Sequence, residues 1–153
     1  MDFSKVTRAV RKMLPLRYCG AVIVAAGTAS RMGGIDQVMA QLGGEELILR
    51  SVRAFQNCDA IREIVVVTRE DLIVEISRLC KEYRLDKVRK VIVGGAERTN
   101  SVRNGLREVR PDAQLIAIHD GARPLISWQV IDRVVRAANT YGAAAPAVPV
   151  RIR

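Results

Sequence analysis

Four continuous apolar runs punctuate the chain: Ala21-Val22-Ile23-Val24-Ala25, Ile64-Val65-Val66-Val67, Val91-Ile92-Val93 and Leu115-Ile116-Ala117-Ile118. They are rich in β-branched residues and do not alternate with polar ones, which predicts strands buried on both faces. Between them the period changes. Over Asp71–Tyr83 the apolar positions are Leu72, Ile73, Ile76, Leu79, Cys80 and Tyr83, a stripe at helical spacing. Over Ser127–Tyr141 they are Trp128, Ile131, Val134, Val135 and Ala138, with Ser127 placed to cap the helix. Leu47–Phe55 and Ser101–Val109 are shorter helical candidates. Strand and helix therefore alternate, which predicts an α/β fold with a mostly parallel sheet covered by helices on both faces.

No internal repeat or low-complexity linker divides the chain, so residues 20–153 read as one domain. Residues 1–19 read as a basic extension, with Val6, Val10, Met13 and Leu14 roughly on one face and Pro15 ending it. A frayed terminus is a commoner state for such a segment than a membrane-touching helix.

Composition narrows this further. A length of 153 residues allows one core, and aromatics at 4% leave that core to Val, Ile, Leu and Ala. A net charge of +9 is compatible with nucleic acid, an anionic membrane surface or anionic small substrates. The basic residues are spread along the chain and lack the interleaved aromatics that stack bases, so no nucleic-acid partner is expected. No run approaches the roughly 18–20 apolar residues needed to span a bilayer, so no membrane insertion is expected. Cys19, Cys58 and Cys80 are widely spaced and accompany a single histidine, which argues against zinc and suits a reducing cytoplasm.

In an open parallel sheet, ligands bind where strands deliver their carboxyl ends into loops. After the first run comes Ala25-Ala26-Gly27-Thr28-Ala29-Ser30-Arg31-Met32-Gly33-Gly34. Small residues let backbone amides approach a polyphosphate, and Arg31 adds a planar cationic fork. The spacing matches neither the dinucleotide fingerprint nor the P-loop, so it fits a plain glycine-rich turn equally well. After the third run, Gly94-Gly95-Ala96-Glu97-Arg98-Thr99-Asn100-Ser101 permits a sharp turn and either caps a helix or offers donors to a base or ribose. After the fourth, His119-Asp120-Gly121-Ala122-Arg123-Pro124 sets a carboxylate suited to Mg²⁺ beside an arginine that can pair with it or with phosphate. His119 reads as structural.

Taken together, A-A-G-x-x-x-R-M-G, then G-G-x-E-R-x-x-S-V, then H-D-x-A-R-P resembles the 2-C-methyl-D-erythritol 4-phosphate cytidylyltransferase family of the non-mevalonate isoprenoid pathway. Ribitol-5-phosphate cytidylyltransferases share the pattern. The resemblance covers about Ala21 to Val150 and favours this family over molybdopterin or sugar-phosphate nucleotidyltransferases. It implies a Rossmann-like sheet of the nucleotide-diphospho-sugar transferase type. It also implies transfer of CMP from CTP to a polyol phosphate, with Mg²⁺ as cofactor and release of pyrophosphate. On this resemblance Ala25, Ala26 and Gly27 lie against the nucleotide, and Arg31 steadies the triphosphate. Gly94, Gly95, Arg98 and Ser101 contact the cytosine and ribose region. Asp120 is a Mg²⁺ ligand, with Ala122 and Arg123 beside it.

The sequence departs from the family pattern at three points. Aligned on Leu42-Gly43-Gly44, Gln37 stands where the family carries a triphosphate-binding lysine, and no lysine occurs between Lys12 and Lys81. Thr99 replaces a common glutamine. The family pattern also continues beyond Pro149-Val150 into a polyol-phosphate motif, a dimerising arm and a second metal carboxylate. The expectation is therefore an incomplete domain without the family's homodimer arm, with weak or absent turnover. A non-catalytic nucleotide-binding remnant and a ribitol-5-phosphate cytidylyltransferase are the alternatives.

Overall fold

Cys19–Ala25 forms the first strand, β1, of a computed structural model that describes residues 16–27 and 36–149. A hairpin of two short strands follows, β2 (Gln41–Leu42) and β3 (Glu45–Glu46), joined by Gly43-Gly44. Both glycines have positive φ, +63° and +80°, which a two-residue turn of this hand requires. Next come α1 (Leu47–Gln56), β4 (Ile61–Thr68), a short 3₁₀ turn (Glu70–Leu72), α2 (Ile73–Glu82), β5 (Val88–Val93), α3 (Arg98–Glu108), β6 (Leu115–Asp120) and α4 (Trp128–Tyr141). The long strands are all parallel, in the order β5-β4-β1-β6. Ser127 caps α4 as the sequence predicts, its Oγ accepting from the Val130 N–H.

Alternation along β1 divides the core between the two faces of the sheet. Ala21, Ile23 and Ala25 pack with Ile48, Leu49, Val52 and Phe55 of α1, Ile76 and Leu79 of α2, and Ile131 and Val135 of α4. Val22 joins Val65, Val67 and Val109 on the opposite face, where α3 is seated. Gly105 allows that seating, because a Cβ there falls 2.4 Å from Val22 Cγ1 and 2.9 Å from Val67 Cγ2. Helices thus lie on both faces, but very unevenly.

The expectation of strands buried on both faces holds for β1 and β4 and fails for β5 and β6. The latter two are the sheet's edges, and Val93, Ile116 and Ile118 remain 45%, 40% and 47% exposed. Two other boundaries move as well. β4 starts at Ile61 because the charged Glu63 is buried inside it, its Oε1 accepting the Arg110 N–H at 2.9 Å and its Oε2 paired with Arg89. Helix α3 starts at Arg98, three residues before the expected Ser101, so Arg98 and Ser101 stand on its first turns.

Candidate active site

The chain order runs outward from β1 through β4 to β5, then returns to place β6 on the other side of β1. The strand order therefore reverses between β1 and β6, and a crevice opens at their carboxyl ends. Hydrogen bonds stitch its floor. Thr68 Oγ1 donates to the Ala25 carbonyl at 3.4 Å, the Gly94 N–H reaches Thr68 O at 2.7 Å, and the Gly121 N–H reaches Val24 O at 2.8 Å. Ser51, buried on α1, donates to the Gly121 carbonyl at 2.7 Å and holds the third loop down.

A cavity of about 830 Å³ sits over this floor, within the roughly 300–1,000 Å³ of small-molecule sites. Of the residues singled out in the sequence, Ala25, Ala26, Gly27, Gln37, Gly94, Gly95, Arg98, Ser101, Asp120, Ala122 and Arg123 all line it. Arg31 lies outside the described residues, as does most of the extension at 1–15. The second loop does not use its polar cluster as a cap, since Glu97 makes no side-chain capping bond. Ser101, 2% exposed, instead turns its Oγ to the Gly95 N–H at 3.0 Å and shapes the glycine turn from below.

Charge converges on Asp120. Arg98 donates from Nε and Nη2 to Oδ1 at 3.1 and 2.8 Å, and Arg123 Nε lies 3.1 Å from Oδ2. The second and third loops are thereby joined through one carboxylate. His119 faces away from this chemistry. Its ring packs on Phe55 at 5.1 Å, its Nε2 meets the Arg123 carbonyl at 3.1 Å, and burial holds its pKa below the usual histidine value.

The donor set bears directly on metal binding. Among the described residues no three His, Cys, Asp or Glu side chains gather around one point. Asp120 offers one carboxylate, which suits a Mg²⁺ ion arriving on a nucleotide triphosphate and does not suit a resident ion caged by protein.

Sequence reasoning missed Arg69. It lines the cavity from the end of β4, at the place where the other strands deliver Gly27, Gly94 and Asp120. No glycine marks that loop, but the same strand-end rule finds it. Asp71 and Asp36 hydrogen-bond its guanidinium and push its pKa further above the usual arginine value.

Fold and crevice together define a Rossmann-like α/β domain with a ligand site at its strand-order switch. The sequence profile described as 2-C-methyl-D-erythritol 4-phosphate cytidylyltransferase matches residues 19–152. The chain belongs to that family. A protein of that name from Clostridium botulinum (strain Loch Maree / Type A3) is 40% identical over 125 residues, covering 81% of this chain and 55% of the relative. Another, from Caldanaerobacter subterraneus, is 40% identical over 137 residues, covering 86% of this chain and 59% of the relative. The crystal structure of 4-diphosphocytidyl-2C-methyl-D-erythritol synthase from Anaerococcus prevotii superposes with a TM-score of 0.69 at 28% identity, covering 80% of this chain and 51% of that one. The chain thus spans little more than half the length of these relatives. Among the described residues no helix is long and apolar enough to cross a membrane.

Proposed function

We propose that this chain binds CTP in the crevice and transfers its cytidylyl group to 2-C-methyl-D-erythritol 4-phosphate. A phosphate oxygen of the acceptor attacks the α-phosphorus, the bond to the bridging β-oxygen breaks, and pyrophosphate leaves. The observation that carries this reading is the meeting of Ala25, Ala26 and Gly27, which open the first family motif, with the second and third motif loops around one cavity at the strand-order switch. Such a transfer needs no covalent intermediate, so positioning and charge neutralisation supply the acceleration.

Ala25, Ala26, Gly27 and Arg31 would face the triphosphate, with Gln37 beside them. Gly94, Gly95, Arg98 and Ser101 would hold the cytosine and ribose region, next to Ala122. Asp120 would hold the Mg²⁺ carried by the triphosphate, an ion that neutralises phosphate charge when bound. Arg123, exposed at its guanidinium end, would then exchange its Asp120 oxygen for a phosphate oxygen. A cytoplasmic setting is supported by Cys19, Cys58 and Cys80, all buried and free.

Gln37 tempers the activity. A neutral amide donates a hydrogen bond but offsets no phosphate charge, and losing a charged contact of this kind slows turnover by about 10²–10³. The test is pyrophosphate release from CTP, Mg²⁺ and the methylerythritol phosphate, beside calorimetric binding of CTP. We expect binding with slow turnover, and tighter CTP binding in Gln37→Lys. Binding without any turnover supports a non-catalytic domain, and faster turnover with ribitol 5-phosphate reassigns the acceptor. A chain that binds no CTP, with or without Gln37→Lys, overturns the reading.

A further inference from the structure

The reaction as proposed leaves Arg69 without a task. It follows Thr68, the residue that ties the end of β4 to Ala25 and Gly94. Its guanidinium is not free in the cavity. Nη2 pairs with Asp36, while Nε and Nη2 hold the exposed Asp71 at 3.1 and 3.0 Å. Asp36 opens a tight turn, in which its Oδ1 accepts the Val38 N–H at 3.2 Å and its carbonyl accepts the Ala40 N–H at 2.9 Å. The start of α1 grips the same turn from the other side, through Leu47 N–H to Ala40 O at 2.9 Å and Ile48 N–H to Val38 O at 3.0 Å. Gln37 sits within this turn, exposed and lining the crevice.

We propose that Arg69 is a positioning residue for nucleotide binding: by bridging the end of β4 to Asp36, it fixes Gln37 at the crevice wall where the polyphosphate lies. The inference rests on the nucleotide reading above. Two carboxylates neutralise Arg69, so it is poorly placed to serve phosphate itself. Its planar fork holds both acceptors in fixed directions, which a lysine's point charge on a flexible stem does not reproduce. Direction matters more here than at a cationic position. An ammonium attracts phosphate from many angles, whereas an amide N–H contributes only when it is aimed at the oxygen.

The experiment is calorimetric titration of the full chain with CTP and, separately, with CMP. Arg69→Ala should weaken CTP by about tenfold, the scale of one hydrogen bond to a charged group. CMP, which lacks the outer phosphates, should change by less than about twofold. Gln37→Ala should match it. The double variant should be no weaker than either single, because Arg69 acts through Gln37. Arg69→Lys and Asp36→Asn should also weaken CTP selectively, and they serve where Arg69→Ala does not melt cooperatively. Asp71→Asn, which alters only the exposed partner, should leave CTP binding within about twofold. Additive losses in the double variant, equal losses for CTP and CMP, or undisturbed CTP binding without Arg69 overturn the inference alone. A wild-type chain that binds no CTP removes the nucleotide reading and the inference together.

Discussion

Replacing Gly94 by alanine adds one methyl group to the crevice floor. Its φ lies outside the left-handed region, so the glycine is there for room and not for backbone freedom. A Cβ at this position falls 2.4 Å from Ala26 Cβ and 2.7 Å from Ser101 Oγ. Carbon contacts relax at about 3.5–4.0 Å, so the intrusion on Ala26 exceeds about 1 Å. Ala26 has no rotamer to yield with, and its Cβ moves only if the backbone of the floor moves. Ser101 can turn aside, but it then gives up the Gly95 N–H. Overpacking costs about 1–3 kcal/mol and the broken bond about 0.5–1.5 kcal/mol. A destabilisation of about 3 kcal/mol lowers Tm by about 6–12 °C in a chain of this size. Differential scanning calorimetry measures that fall, and a CTP titration should report at least a tenfold loss of affinity, about 1.4 kcal/mol. Adding Ala26→Gly removes the nearest atom and should restore part of both. A Tm within 2 °C of wild type with unchanged CTP binding would show that the floor has slack and refute the packing argument.

Two further outcomes follow from the same contacts. Gly105→Ala favours the helix by about 1 kcal/mol on propensity, yet its methyl meets the buried, β-branched Val22 and Val67. Net destabilisation of about 1–2 kcal/mol in urea unfolding is expected, while Arg103→Ala on the exposed side of α3 stays within about 0.5 kcal/mol, and a stabilised Gly105→Ala contradicts the seating of α3. His119 gives a pH dependence. Burial depresses its folded pKa below 6.5, so its contribution to stability is complete above that value and is lost as pH falls through the folded pKa. Between pH 8 and 5 the Tm of the wild type should drop more than that of His119→Gln, and a constant gap between the two curves counts against a neutral, buried ring.

The alternation of apolar runs and helical stripes is what made the parallel sheet legible. Continuous β-branched runs belong to strands covered on both sides, and β1 and β4 are such strands. The same rule overreached at β5 and β6, because a run of three or four residues carries no mark of whether its strand lies inside or at an edge. Glu63 hid the start of β4: a charge within a strand reads as a boundary unless its partners, Arg110 N–H and Arg89, are known, and both are distant in sequence. In the crevice, glycine-rich turns were visible because they are composed of unusual residues. Arg69 was not, since its significance lies in Asp36, 33 positions earlier, and only folding brings the two together. The clasp of Arg98 and Arg123 on Asp120 was half legible, the pairing within the third loop being local and the one to α3 being tertiary.

Thr68 does more than end β4. Through its hydroxyl and its carbonyl it laces the tips of three neighbouring strands into a single shelf. A shelf of that kind is cut before any guest arrives, so little ordering is left to do beneath the ligand. The entropy of capture falls instead on the long arginine side chains around it, and affinity changes between related proteins should trace to those arms more than to the strands below.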